Sequence, residues 1–177
     1  MQTVDSNSRE WPFTGRGSGP PDPDRPRYGP NTKELERLFH GILTLPEDDL
    51  LKIARLGGDR LWRLRAEEAM VEAVDRAERA GMRYELVGAI GVAGSVGEVV
   101  TARYAMSSPA SSGPARERAA SLMPVTLAVL SAAVALVTRE VLTDDEFDLL
   151  YRPMMLVGEA TRQPDPSDIG PSNRSVG

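Results

Sequence analysis

Hydrophobic and polar positions along the chain repeat at helical spacing, and the one departure is a stretch with no polar face at all. Leu35, Leu38, Phe39 and Ile42 mark one face of a helix over 31 to 44, with Lys33, Glu36 and Arg37 on the other. Asn31-x-x-Glu34 reads as a capping box at its start. A second helix is expected from Pro46 to Gly57-Gly58, because proline suits a first helical turn and Glu47, Asp48 and Asp49 complement the positive end of the helix dipole. From Asp59 to Gly81 the pattern is again helical, with Leu61, Trp62, Met70, Val74 and Ala77 usable as a core stripe.

Residues 82 to 106 place Gly88, Gly91, Gly94 and Gly97 at every third position. Inside a helix these four together cost roughly 3 to 4 kcal/mol relative to alanine, so a helix here, broken or not at the glycines, demands close backbone packing in return. A linker at 107 to 115 leads to a helix start at Ser112 and Pro114. Ala119 to Thr138 then runs without a charge between Arg118 and Arg139, and its serines and threonines gather on no single face. A helix apolar all round is buried, either as the rod of a helical domain or in a bilayer. Pro124 either kinks it or begins it afresh. Thr143-x-x-Glu146 forms a second capping box, and Phe147, Leu149, Leu150, Met154 and Leu156 give the last helix its apolar surface, with a bend expected at Pro153.

The sum is an all-α protein: a single helical bundle of about six helices around a central apolar one, spanning 31 to 159. Two Pro/Gly/Ser/Asp-rich segments, 1 to 30 and 160 to 177, have little to bury and are expected to be disordered tails. Trp11 and Phe13 stand in the first as a candidate interaction arm, against the plain reading of an incidental apolar pair.

Composition narrows the chemistry. The chain of 177 residues has no cysteine, one histidine and a net charge of -5. Disulfides, thiolate nucleophiles and cysteine-ligated metals are excluded, and acids alternating with the bases argue against nucleic acid. No basic start precedes an apolar run near the N-terminus, so the expected location is cytoplasmic, with an inner membrane as the alternative.

Five motifs carry candidate chemistry, each with a plainer reading. The glycine run from Gly88 matches the pyrophosphate-binding turn of extended short-chain dehydrogenases, but it follows a long helix instead of a first strand. Asp144, Asp145 and Asp148 spell the D-D-x-x-D that holds magnesium and diphosphate in isoprenoid synthases, yet acids after Thr143 already serve the helix dipole. His40 shares a turn with Glu36 and would make a general base, though a lone histidine at such a place is ordinarily structural. Ala93-Gly94-Ser95-Val96-Gly97 approximates a nucleophile elbow with no histidine after it. Glu68, Glu72 and Asp75 form an acidic stripe, but Arg65, Arg76 and Arg79 neighbour them at helical spacing. No catalytic residue, metal site or cofactor is expected.

Phe147, Asp148, Leu150, Tyr151 and Pro153 follow a [FY]-D-x-L-Y-x-P-W-like pattern, with Met154 in the tryptophan position. Over about thirty residues the C-terminal part thus resembles Ala/Arg-rich helical proteins of actinobacteria. That resemblance implies helicity and a bacterial origin, and brings no activity with it. The functional expectation is a non-enzymatic protein acting through association, with an unknown protein partner or a second copy of itself. The first alternative is a small membrane protein in which 84 to 102 and 119 to 138 form a helical hairpin, and the second is a nucleotide- or diphosphate-binding enzyme.

Overall fold

The computed structural model describes residues 24 to 106, 117 and 120 to 161, leaving aside the side chains of 104 to 106 and 158 to 161. Among the described residues there are six α-helices and no strand: α1 (Thr32–Thr44), α2 (Glu47–Gly57), α3 (Arg60–Arg79), α4 (Arg83–Met106), α5 (Pro124–Val137) and α6 (Asp144–Thr161). Helix α5 is the central rod. All five other helices pack on it, α4 most extensively. It needs them all, because Val125, Val129, Ala132, Ala133, Val134 and Leu136 point in every direction around it and all are buried. Pro124 occupies the first turn of α5, directly after a helical turn at 120-122, where its missing amide forfeits no bond within α5.

Glycine decides how near the partners come. A Cβ on Gly97 would lie 2.8 Å from Thr126 Cβ and 2.9 Å from its Cα, and a Cβ on Gly57 would lie 3.1 Å from the carbonyl carbon of Pro124. These two glycines let α4 and α2 approach the first turn of α5. Gly88 lies beside the ring of Tyr28, whereas Gly91 and Gly94 face open space with no atom within 4 Å of a Cβ. Of the four expected packing glycines, Gly88, Gly91, Gly94 and Gly97, only Gly97 thus meets a neighbouring helix. A repeat of three drifts around a helix of 3.6 residues per turn, so four such positions span too wide an arc to share one neighbour. Helix α4 nevertheless continues unbroken through all four.

The ends of the helices follow the sequence, with one exception. Asp59 caps α3 by accepting the Trp62 amide at 2.8 Å. Gly81, at φ +75°, ends it in a Schellman turn in which the Met82 amide reaches Ala77 O at 2.9 Å and the Gly81 amide reaches Glu78 O at 3.1 Å. The second capping box forms in both directions: the Thr143 amide donates to Glu146 Oε2 at 2.8 Å and the Glu146 amide to Thr143 Oγ1 at 3.3 Å. The first does not form. Asn31 makes no side-chain cap and instead donates its Nδ2 to Leu136 O at 2.7 Å, closing a free carbonyl at the C-terminal end of α5.

Three further boundaries and positions differ from expectation. Packing begins before Asn31, because Tyr28 is buried edge-on against Phe39 and Arg25 pairs with the buried Glu85. Helix α6 runs on to Thr161, past 159. Leu61 is 63% exposed, since the buried stripe of α3 runs through Trp62, Ala66, Met70, Ala73 and Ala77 and Leu61 falls one residue off it. The arm at Trp11 and Phe13, the Ser112-Pro114 helix start and residues 162 to 177 lie outside the described residues.

Candidate interaction groove

Helix α6 carries Pro153 in its interior, which removes the amide that would bond to Leu149 O. The Trp62 indole of α3 donates to that carbonyl at 2.9 Å, and Ser131 Oγ of α5 donates to Leu150 O, the next one along, at 2.6 Å. Proline thus frees an acceptor that a neighbouring helix uses, and α3, α5 and α6 are tied together at one level. Arg76 of α3 adds a second tie, with Nη1 and Nη2 on the two carboxylate oxygens of Glu146 at 2.8 and 2.9 Å. That hydrogen-bonded guanidinium, together with the Thr143 amide, holds the Glu146 carboxyl below its ordinary range, and Glu146 in turn raises Arg76. Arg139 lies 4.1 Å from the centroid of the Phe147 ring, which stacks on Tyr151 at 5.2 Å. Burial raises the Tyr151 hydroxyl, opposed by the charge of Arg139. Phe147, Leu150, Tyr151 and Pro153 of the F-D-x-L-Y-x-P pattern thus help hold α6 in place, and Asp148 is exposed.

With α3 fixed in this way, one flank of it stands off from α4 and α5. The gap is a groove of about 580 Å³ floored by Met70, Val74, Ile90, Leu127, Leu130 and Val134, with Val71 on its lip. Val71 is 70% exposed. Glu67, Asp75 and Glu78 line the rim, each paired with an arginine beside it: Arg63 at 3.9 Å, Arg79, and Arg83 at 3.9 Å. A second recess of about 570 Å³ between α1 and α6, reached by Arg37, Leu38 and Tyr151, is mixed in character. A third, of about 350 Å³, holds the ion pair of Arg25 and Glu85 beside Glu140.

The motifs with catalytic readings are dispersed. His40 and Glu36 are exposed on α1, and Asp144, Asp145 and Asp148 are exposed on the first turns of α6. Ser95 donates to Gly91 O within α4, and the glycine run is interior helix, where backbone amides are already engaged. Glu72 pairs with Arg76 at 3.1 Å and Asp75 with Arg79, as a solvated face would. Among the described residues no three histidine or acidic side chains converge in a way that would hold a metal ion. The groove escaped the sequence reading because Val71 and Leu127 each look like one more core position. No protein-family model, curated protein or solved structure matches the chain.

Proposed function

We propose that this chain is a non-enzymatic, cytoplasmic helical protein that acts through protein-protein association, with the α3-α4-α5 groove as its binding surface. The observation that carries this reading is the groove itself: an apolar floor and lip with three carboxylates around it. Isolated exposed apolar residues are ordinary on a soluble protein, but a contiguous concave patch rimmed by polar groups is the form that helix-in-groove recognition takes. The matching occupant is an apolar segment, its aliphatic or aromatic anchors seated over Val74, Leu127 and Leu130.

The test is a photo-crosslinking amino acid placed at Val71 in living cells, with Glu68, exposed and outside the groove lining, as the control position. A discrete adduct with a separate protein at Val71, absent at Glu68 and competed by an apolar amphipathic peptide, is expected. Equal labelling at the two positions, in the full chain and in a chain lacking residues 1 to 23, would remove the association reading.

The membrane hairpin remains the second reading, because α4 and the stretch from Ala120 to Val137 are both long and apolar enough to cross a bilayer. Helix α5 argues for a protein core: it is enclosed by five helices, and 61% of its apolar window is buried.

A further inference from the structure

We infer that the recess between α1 and α6 is a binding site for a small amphiphilic carboxylate, an aliphatic acid whose head meets Arg37 and the Tyr151 hydroxyl and whose chain lies over Leu38, Ile42 and Met154. The recess shares no lining residue with the α3-α4-α5 groove, so the inference goes beyond the association reading and stands or falls apart from it.

Three observations carry it. The first is the hollow. Helices α1 and α6 both pack on α5 but scarcely on each other, and the gap between them, bordered by Leu45 and Pro46 of the α1-α2 turn, holds about 570 Å³. Sites for small organic ligands have this size, with a mainly apolar lining and a few polar groups that fix the head. The second is Gly41. It lies in the interior of α1, where glycine costs ~1 kcal/mol relative to alanine, and no atom lies within 4 Å of a Cβ placed on it. No neighbour requires the glycine, yet it lines the recess, and a longer side chain would take up the space.

The third is the polar complement. Glu34, Arg37, Thr44 and Tyr151 bring polar side chains to the lining. The Thr44 hydroxyl is engaged within α1, on His40 O and Gly41 O at 3.1 Å. Among the described residues Arg37 has no ion pair, and neither its guanidinium nor the Tyr151 hydroxyl donates a hydrogen bond. Burial raises the Tyr151 hydroxyl, so it stays protonated and able to donate. Two donors without acceptors in one recess suit a head with two acceptor oxygens, and the charge of Arg37 makes that head a carboxylate. Glu34 makes no ion pair with Arg37, and it stands in the first turn of α1, where the positive end of the helix dipole offsets its charge. Met154, unbranched and adaptable, suits an aliphatic chain beside it.

Isotope-labelled methionine methyls in the full chain report on both places, Met154 in the recess and Met70 in the groove, assigned by Met154→Leu and Met70→Leu. Decanoate is expected to move the Met154 signal saturably and to leave the Met70 signal in place. Decanol should bind more weakly, and decylamine more weakly still. Arg37→Gln, a change at an exposed position, should weaken decanoate at least ~10-fold, the loss of one charge-assisted hydrogen bond, and leave decanol as it was. Gly41→Leu should fill the recess and abolish binding of both, with an unmoved Met70 signal as the check on the fold. No saturable movement of the Met154 signal at millimolar decanoate overturns the inference. So do parallel movements of Met70 and Met154, which would mean unspecific partitioning, and so does decylamine binding as tightly as decanoate, which would place the head on Glu34.

Discussion

Gly91 and Gly97 are chemically the same residue two turns apart in one helix, and their substitutions should move stability in opposite directions. Helix α4 pays the backbone entropy of both. Gly91 faces solvent with nothing near a Cβ, so Gly91→Ala should stabilise by up to about 1 kcal/mol through helix propensity alone. At Gly97 the new methyl would collide with Thr126, whose Cα is backbone and unable to swing aside, so Gly97→Ala should destabilise by about 1 to 3 kcal/mol in spite of its better propensity. Urea midpoints at unchanged slope would measure both, and a gain at Gly97 would refute the close approach of α4 to α5. Glu146 gives the residue scale a pH dependence. Its carboxyl is held low in the folded protein by Arg76 and the Thr143 amide, so the stability it adds is fully present above the ordinary carboxylate range and is lost as pH falls through the depressed folded value. Glu146→Gln should lower the melting temperature at pH 7, and the difference from the parent should shrink below about pH 4. Both partners are partly solvated, so the effect is small and weaker in high salt.

Helix by helix, most of the bundle was legible in the sequence, because caps and periodicity are local. Asp59, Gly81, Pro124 and the Thr143-Glu146 box all act where they stand. Two of the misreadings share a cause: each depended on a residue far away in sequence. Asn31 forgoes its box because Leu136 O, 105 residues on, lies within reach, and Leu61 falls outside the core because α6 approaches through Trp62. The pairing of Trp62 with Leu149 O has a consequence for energetics. With Pro153 unable to donate, Trp62→Phe leaves that carbonyl without its donor, and a loss of about 1 to 3 kcal/mol is expected beyond any change in packing. In a Pro153→Ala background the restored amide can bond to Leu149 O, so the same Trp62→Phe change should cost less. A double-mutant cycle by chemical denaturation measures the difference. Additive losses would mean that the proline and the indole do not share the carbonyl.

At the scale of the whole molecule, the choice between a protein core and a bilayer turns on what surrounds α5, since length and composition permit both. A spanning hairpin would leave α4 and α5 facing lipid on most of their circumference. Here α5 faces five helices, and the hydroxyls of Ser131 and of the C-cap Thr138 are engaged inside the protein: Ser131 Oγ on Leu150 O, and Thr138 Oγ1 on Val134 O at 2.7 Å. Helix α2 packs on the proline turn of α5 through Gly57, and α2 is an amphipathic helix with Glu47, Asp48 and Asp49 in its first turn. A hairpin inserted in lipid would have to part from α2, α3 and α6 and give up those contacts. Full recovery in the detergent-free supernatant after lysis is therefore expected, together with a single cooperative unfolding transition. Ala132→Asp supplies the contrasting variant, because Ala132 is fully buried against protein. An unpaired carboxylate there should abolish that transition and send the chain to the aggregated fraction, whereas Val99→Asp, on the exposed side of α4, should leave both solubility and transition intact. If Val99→Asp instead released a membrane-bound chain into the supernatant, the outer face of α4 would be lipid-facing and the hairpin reading would replace the core.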